Sequence, residues 1–490
     1  WSDMKTKQFT ILHSNDMHGD FLAEVRGEPG NLIGGLSLLS GYINQVRREE
    51  KNVIYTISGD MVQGSLIDSE YKGISTIEIM NYLSPDVVTL GNHELDYGLP
   101  HLLFLEKMAN FPIINANLYI KKYYKRLMQP FLIKNIDGFD VMFIGIITEK
   151  VMDSIRRDSQ IGTFITLEEA ATETGRICDA YKNEDIDLTI LLTHIGFESD
   201  MALASMLKPE WGVDMILGGH SHTVMDQPAV VNNILIAQAA TGTDQIGRFD
   251  IVVDDETNSI VEWKWQLVPI SYDHIQPDEE LQKFIDVYSS EIDRKYNTII
   301  CRTAQLLTHP SRTIETQMGN LFADIFAENA NCNVAFIGSG SIRQKQMGPV
   351  VTLRDLRQIF PYDEVYMRFT VTGEQVQRIF SHIMRAENRN SEGECYQVNR
   401  GVHAVYDDHL NKLVSLEIKG KPIDPQAHYT IGLSDYHYSN VLQNLGISNE
   451  EITAINAPKV TATSMVNVAE EYLRSHQNLN SQVEGRLVYL

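Results

Sequence analysis

Five short polar stretches carry the residues best suited to chemistry. They are Asp16-Met17-His18, Gly59-Asp60, Gly91-Asn92-His93-Glu94, Thr193-His194 and Gly219-His220-Ser221-His222. Each follows a run of apolar, β-branched residues. Imidazole, carboxylate and amide oxygen without thiolate favour Mn, Fe, Co or Zn over a soft-metal site. Asp60, with two carboxylate oxygens, can bridge two cations; Asp16 and His18 would complete one side, Asn92 and His194 the other. Two divalent ions roughly 3.5–4 Å apart clamp a phosphoryl group and acidify a water towards a pKa of about 7, ready for in-line attack on phosphorus. Taken singly the stretches are weak, since Gly-Asp also suits a turn and most lone histidines are packed or surface residues. In order, and each after a strand, they point to a two-metal centre. His13, His101, His274, His309 and His476 match no such motif and read as structural.

The elements that must position these residues alternate from about residue 8 to 250. Strands are expected at Phe9–Leu12, Val53–Ile57, Asp86–Leu90, Pro112–Ile114, Val141–Ile147, Leu188–Leu192 and Asp214–Leu217. Helical spacing lies between them, as at Ile33, Leu36, Leu39, Ile43 and Val46. Short, nearly all-apolar strands alternating with helices suggest an α/β layered fold, with a sheet covered on both faces. Ile246–Ile270 turns to plain alternation, as edge or second-sheet strands do. In open α/β sheets the loops leaving the carboxyl ends of the strands converge on one crevice. Asp16, Asp60, Asn92, His194 and His220 all fall at such ends.

Residues 277–297 read as an amphipathic helix with Leu281, Phe284, Ile285, Tyr288 and Ile292 on one face. A second alternating region follows: helix Met318–Asn329, strand Asn333–Ile337, the loop GSGSIR (338–343), helix Thr352–Phe360, strand Val365–Val371, helix Gly373–Ala386 and a last helix Ser464–His476.

At 490 residues and 43% hydrophobic the chain can bury the cores of two or three domains. A net charge of −24 argues against a nucleic-acid polymer as partner, because that binding rests on Lys and Arg neutralising phosphates. Bound cations would reverse the potential inside one cleft, so a small anionic substrate stays compatible. No apolar run reaches the roughly 20 residues that span a bilayer, so no membrane is expected as partner. Cys178, Cys301, Cys332 and Cys395 have neither C-x-x-C spacing nor a dense framework, and a cytoplasmic location is expected. The chain opens on Trp1, not Met, and secretion is the alternative. Nothing in the sequence sets the oligomeric state.

The order D-x-H, G-D, G-N-H-[ED], H, G-H-x-H resembles the signature of the calcineurin-like metallophosphoesterases. The second half narrows the resemblance to the 5′-nucleotidase and UDP-sugar hydrolase family, over nearly the whole chain. The resemblance implies an N-terminal four-layer α/β/β/α metallophosphoesterase domain (6–272), a linker helix (273–300) and an α+β substrate-binding domain (301–490). It implies two divalent ions: one on Asp16, His18, Asp60 and His222, the other on Asp60, Asn92, His194 and His220. His93 resembles the family's non-ligand histidine that stabilises the pentacovalent phosphate, and Asp96 its carboxylate partner.

Three C-terminal segments extend the match. Arg312, eight residues before Asn320, stands where a family segment carries a phosphate-contacting arginine. GSGSIR resembles N-G-G-G-x-R and makes Arg343 a second substrate contact; a planar guanidinium suits phosphate and carboxylate alike. FPYDE (360–364) resembles L-P-F-x-[NG] and places Tyr362 where an aromatic ring stacks on the base. One departure stands out. The family's late N-x-x-x-x-G-G-D-G-[YF] loop is replaced by LSDYHYSNVLQNLG (433–446), where Tyr436 or Tyr438 could supply the second ring. The resemblance thus implies hydrolysis of nucleoside 5′-phosphates or nucleoside diphosphate derivatives. A 2′,3′-cyclic-nucleotide phosphodiesterase and a catalytically silent nucleotide binder are the alternatives.

Overall fold

A computed structural model describes residues 5–22, 24–25, 32–62, 64–120, 125–148, 161–163, 166–389 and 394–490. The chain divides into two compact units, residues 1–292 and 293–490, and the division falls inside the helix Glu279–Tyr296. On the first-unit side of that point, Phe284 packs against Tyr82 and Tyr288 against Tyr71.

The first unit is built on two six-stranded sheets. One runs in the order 259–269, 245–254, 6–14, 53–58, 87–89, 113–114. Thr6–Ser14 lies parallel to Val53–Ser58, which continues in parallel to Val87–Thr89 and Ile113–Ile114; Gln245–Asp254 joins Thr6–Ser14 antiparallel. The other runs 229–231, 234–237, 215–217, 188–194, 139–147, 131–136, with four parallel strands inside and an antiparallel hairpin partner at each edge. Phe9, Ile11, Ile54 and Val87 of the first sheet meet Phe143, Ile190, Leu192 and Leu217 of the second in one buried core. The opposite face of the second sheet is covered by helices Leu167–Ala180 and Phe197–Met206, through Ala171, Ile177, Leu203 and Ala204 against Ile144, Ile146, Leu191 and Ile216. The mixed α/β architecture is therefore layered.

The two sheets lie face to face, as the implied α/β/β/α layering has them. Strands buried on both faces read as continuous apolar runs whichever layer covers them. One expectation needs correction: Ile33 is not helical but pairs as a strand residue with Glu24, and the helix begins at Leu36 after Gly34 and Gly35, both at positive φ.

The second unit has a five-stranded sheet, order 396–398, 334–338, 428–434, 366–372, 459–462, and a four-stranded sheet, order 421–422, 412–418, 402–407, 487–489. Val334–Gly338 and His428–Ser434 are parallel, so their carboxyl ends share an edge with the start of the antiparallel strand Tyr366–Thr372. Helix Gly373–Ile383 shows how locally the folding is written. Thr372 and Gln375 form a capping box, worth about 1 kcal/mol, and Val376, Ile379, Phe380 and Ile383 recur at 3–4 residue spacing on the buried face. They pack on Phe336, Phe369 and Ile431. GSGSIR is a strand end, Gly338, followed by one 3-10 turn at Ser339–Ser341. Among the described residues no helix is long and apolar enough to cross a membrane.

Candidate metal centre and substrate edge

The turns after the parallel strands of the first unit bring the polar stretches together. Asp16 follows Thr6–Ser14, Asp60 follows Val53–Ser58, Asn92 follows Val87–Thr89, His194 ends Leu188–His194, and His220 follows Met215–Leu217. Two clusters able to hold an ion result: Asp16 with His18 and His222, and Asp60 with His194 and His220. The Nε2 atoms of His18, His194 and His222 lie 3.8, 3.7 and 3.3 Å from Asp16 Oδ1. Asp60 Oδ2 lies 2.9 Å from His194 Nε2 and 3.9 Å from His18 Nε2, between the clusters. Asn92 Oδ1 is 3.1 Å from His194 Nε2 and 3.2 Å from His220 Nδ1.

The donor set fits divalent cations on its own chemistry. Asp16 Oδ1 is buried and accepts no hydrogen bond, although its partner oxygen Oδ2 accepts from the Asn15 amide and from His220 N–H. His194 Nδ1 is 2.8 Å from the Ser58 carbonyl, which can only accept, so Nδ1 carries the proton. Its Nε2 then faces Asp16 Oδ1, Asp60 Oδ2 and Asn92 Oδ1, all acceptors. Such a knot of lone pairs needs a cation at its centre. With no metal, a proton serves. Burial alone would lower His194, but the Asp60 charge and hydrogen bond overcome it and hold the imidazole up at about 10. Asp60 is moved the other way: burial opposes its charge, and His194 holds the carboxyl below the ordinary range.

The backbone here is unusual. Asp16, His18, Asp60, His220 and His222 all have positive φ, between 50° and 82°. Each such residue costs about 1–3 kcal/mol and persists only where surroundings over-determine it. Close approach explains two motif glycines. A Cβ on Gly91 would strike the Asp60 carboxylate, and one on Gly219 would sit 2.6 Å from Ser58 O and 2.9 Å from Asp16 Oδ2.

His93 stands beside the clusters with its ring 5.4 Å from that of His18. Its N–H donates to Asp60 Oδ1 at 2.9 Å, leaving Oδ2 for the centre. Its Nδ1 lies 2.6 Å from Asp96 Oδ2. Burial pulls the ring down, but the Asp96 hydrogen bond and nearby carboxylates raise it to about 9, which favours the imidazolium. Sequence reasoning gave no role to Glu94. Its wholly buried carboxyl accepts Asp60 N–H at 2.6 Å, Gly91 N–H at 2.8 Å and Val62 N–H at 3.4 Å, tying the two turns together. The acidic position that closes the G-N-H-[ED] signature, filled here by Glu94, was the available signal.

In the second unit the turns that carry Arg343, Tyr362 and Tyr436 meet at one sheet edge. Arg343 N–H donates to Ile359 O, beside the turn carrying Tyr362. Asp435 N–H donates to Val365 O and Val365 N–H to Asp435 Oδ1, joining that turn to the one carrying Tyr436. Arg343 is exposed; Tyr362 is 61% and Tyr436 65% exposed. Tyr438 differs: its ring lies 5.5 Å from Phe369 and its hydroxyl donates to Asn449 at 2.6 Å. The loop of Arg312 is fixed by His309, which bridges Thr316 Oγ1 at 2.7 Å and the Ser339 carbonyl at 2.9 Å. Gln397 makes a parallel bridge from Ile314 O to Ser339 Oγ. His309 is thus structural, as expected, yet it joins the two arginine loops.

Comparison with known proteins agrees with this geometry. Residues 9–224 match the calcineurin-like phosphoesterase family model and residues 298–441 the 5′-nucleotidase C-terminal domain model. The chain belongs to the 5′-nucleotidase family. It is similar to the 5′-nucleotidase of Mus musculus, at 25% identity over 545 residues, covering 100% of this chain and 92% of the relative. In fold it is similar to a 5′-nucleotidase precursor from Thermus thermophilus, with TM-score 0.70, 21% identity and 99% of each chain covered. The NAD nucleotidase of Haemophilus influenzae shares the fold at TM-score 0.60 and 18% identity, again over 99% of each chain. The chain is accordingly a metallophosphoesterase, a phosphoric ester hydrolase.

Proposed function

We propose that the protein hydrolyses nucleoside 5′-phosphates, releasing inorganic phosphate and the nucleoside. The observation that carries this reading is the buried, unpartnered Asp16 Oδ1, ringed by three imidazole nitrogens. We assign one divalent ion to Asp16, His18, Asp60 and His222 and the other to Asp60, Asn92, His194 and His220. Held there, the pair supplies Lewis acidity that offsets phosphoryl charge and lowers the pKa of a water.

The chain's own residues do the rest. His93, kept protonated by Asp96, presents a positive donor to the oxygens that gain charge as phosphorus becomes pentacovalent. The Asp60 carboxylate is aimed by His93 N–H on Oδ1. Arg312 and Arg343 supply guanidinium forks for the substrate's anionic groups, and Tyr362 a face for the base. Of the two tyrosines left open by the sequence, Tyr436 is the second ring, since Tyr438 is committed to Phe369 and Asn449. The nucleotide relatives named above support a nucleotide as substrate.

The test is a hydrolysis screen on the manganese-loaded protein with AMP, 2′,3′-cyclic AMP, NAD and UDP-glucose, with and without chelator. Chelator-sensitive phosphate release fastest on AMP is expected. A faster rate on the cyclic or diphosphate substrates would move the assignment, and no turnover on any of them would leave a silent binder.

A further inference from the structure

His220 and His222 sit on one short loop but belong to different clusters, His220 with Asp60 and His222 with Asp16. Their separation therefore sets the spacing of the two candidate ion positions. Both are held at positive φ, 82° and 55°. Something outside the loop must fix that conformation.

The group that does so lies at the end of the neighbouring strand. Ile234–Ala237 runs parallel to Met215–Leu217, and the next residue, Gln238, is wholly buried. Its Nε2 donates to the Gly219 carbonyl at 3.1 Å, just before His220. Its Oε1 accepts from Thr223 N–H at 3.1 Å, just after His222. One amide thus spans the loop from end to end. Between these contacts the same Nε2 reaches Ser221 Oγ at 3.1 Å. Ser221 Oγ in turn accepts from Phe197 N–H at 3.0 Å, in the helix that starts just after His194. Gly196 N–H donates to the same Gly219 carbonyl. Gln238 is therefore the centre of a network joining the His194 turn to the His220–His222 loop. No charged or hydrocarbon side chain of this size could serve the carbonyl and the N–H together, because the contact needs a donor and an acceptor on one planar group.

We propose that Gln238 is a positioning residue that fixes His220 and His222 and thereby the spacing of the two ions. This rests on reading the centre as a two-metal site. Groups that orient metal ligands from behind typically govern metal affinity by about 10- to 100-fold. Gln238→Met keeps the approximate volume and removes both hydrogen bonds; Ile251→Val, in the core of the first unit, serves as a control for simple loss of packing.

The experiment measures Mn²⁺ binding by titration against a competing chelator, together with the melting temperature of the metal-free protein. The proposal expects Gln238→Met to weaken binding of both ions by about 10- to 100-fold, while Ile251→Val binds as wild type. Gln238→Asn, with the same amide one methylene short, must also weaken binding, and it carries the test if the methionine variant does not fold. Wild-type Mn²⁺ affinity in a folded Gln238 variant would overturn the proposal, as would an equal loss in Ile251→Val. A wild-type protein that binds no Mn²⁺ would instead overturn the metal reading beneath it.

Discussion

The metal centre of the first unit and the arginine–tyrosine edge of the second occupy the same kind of place, the carboxyl ends of parallel strands, but they are made in opposite ways. In the centre, Asp16, Asp60 and His194 are buried, the backbone is held at positive φ at five candidate ligands, and each carboxylate and turn is braced by another group. At the edge, the backbone turns are tied to one another while Arg343, Tyr362 and Tyr436 extend into solvent. A centre that must place charge to a fraction of an ångström needs rigid ligands. A surface that grips a base through its π-face tolerates looser rings. Substitutions in the first region should therefore act on kcat and metal content, and those in the second on KM.

The largest effects separate ligand from non-ligand within the centre. Asp60→Asn removes a charge shared by both ions, and we expect loss of bound metal by elemental analysis together with at least a roughly 10³-fold fall in kcat. His93→Asn should keep its metal and still lose about 10²- to 10⁴-fold in kcat. A His93→Asn enzyme of full activity would remove the imidazolium from the account.

At the edge the expected effects are smaller and of another kind. Tyr436→Ala should raise KM for AMP by roughly 5- to 150-fold, the equivalent of about 1–3 kcal/mol of stacking, with kcat nearly unchanged. Tyr438→Phe should leave KM alone. The reverse pattern, a KM effect at Tyr438 and none at Tyr436, would erase the distinction drawn between the two rings.

The last expected effect is on stability and leaves turnover at neutral pH alone. His13 is wholly buried, stacks on Phe249 and Trp265, and accepts from Trp265 Nε1–H at 3.0 Å, so burial lowers it to about 3. Its folded pKa lies below the unfolded value, and only the unfolded chain takes up the proton between the two. The stability that the neutral ring contributes is complete above about pH 6.5 and falls by about 1.4 kcal/mol per pH unit as pH drops towards 3. Denaturant melts of wild type and His13→Gln across that window should show a shallower slope in the variant. Equal slopes would place the acid sensitivity elsewhere.

How much of this was legible follows from what each residue must do. Metal-binding side chains are restricted in type and must leave strand ends in order, so the clustering of Asp16, His18, Asp60, His194, His220 and His222 could be anticipated, as could most of the strands and helices that carry them. The pairing of two sheets came only from the family resemblance, because Phe143 or Leu192 has the same apolar neighbours in sequence whether a helix or a second sheet covers it. Glycines at 34 and 35 broke a helical spacing that Ile33 otherwise continued. Glu94, His309 and Gln238 act by bonding backbone groups far away in sequence, and such partners leave no local spacing to find. Tyr436 and Tyr438, two residues apart, differ only in what the fold packs against them.

The most direct measurement is anomalous scattering from crystals of the manganese-loaded protein. The account predicts two peaks about 3.5–4 Å apart, bridged by Asp60, with Asp16 Oδ1 bound to one of them. A single peak, or two peaks with Asp16 Oδ1 left without a ligand, would contradict it.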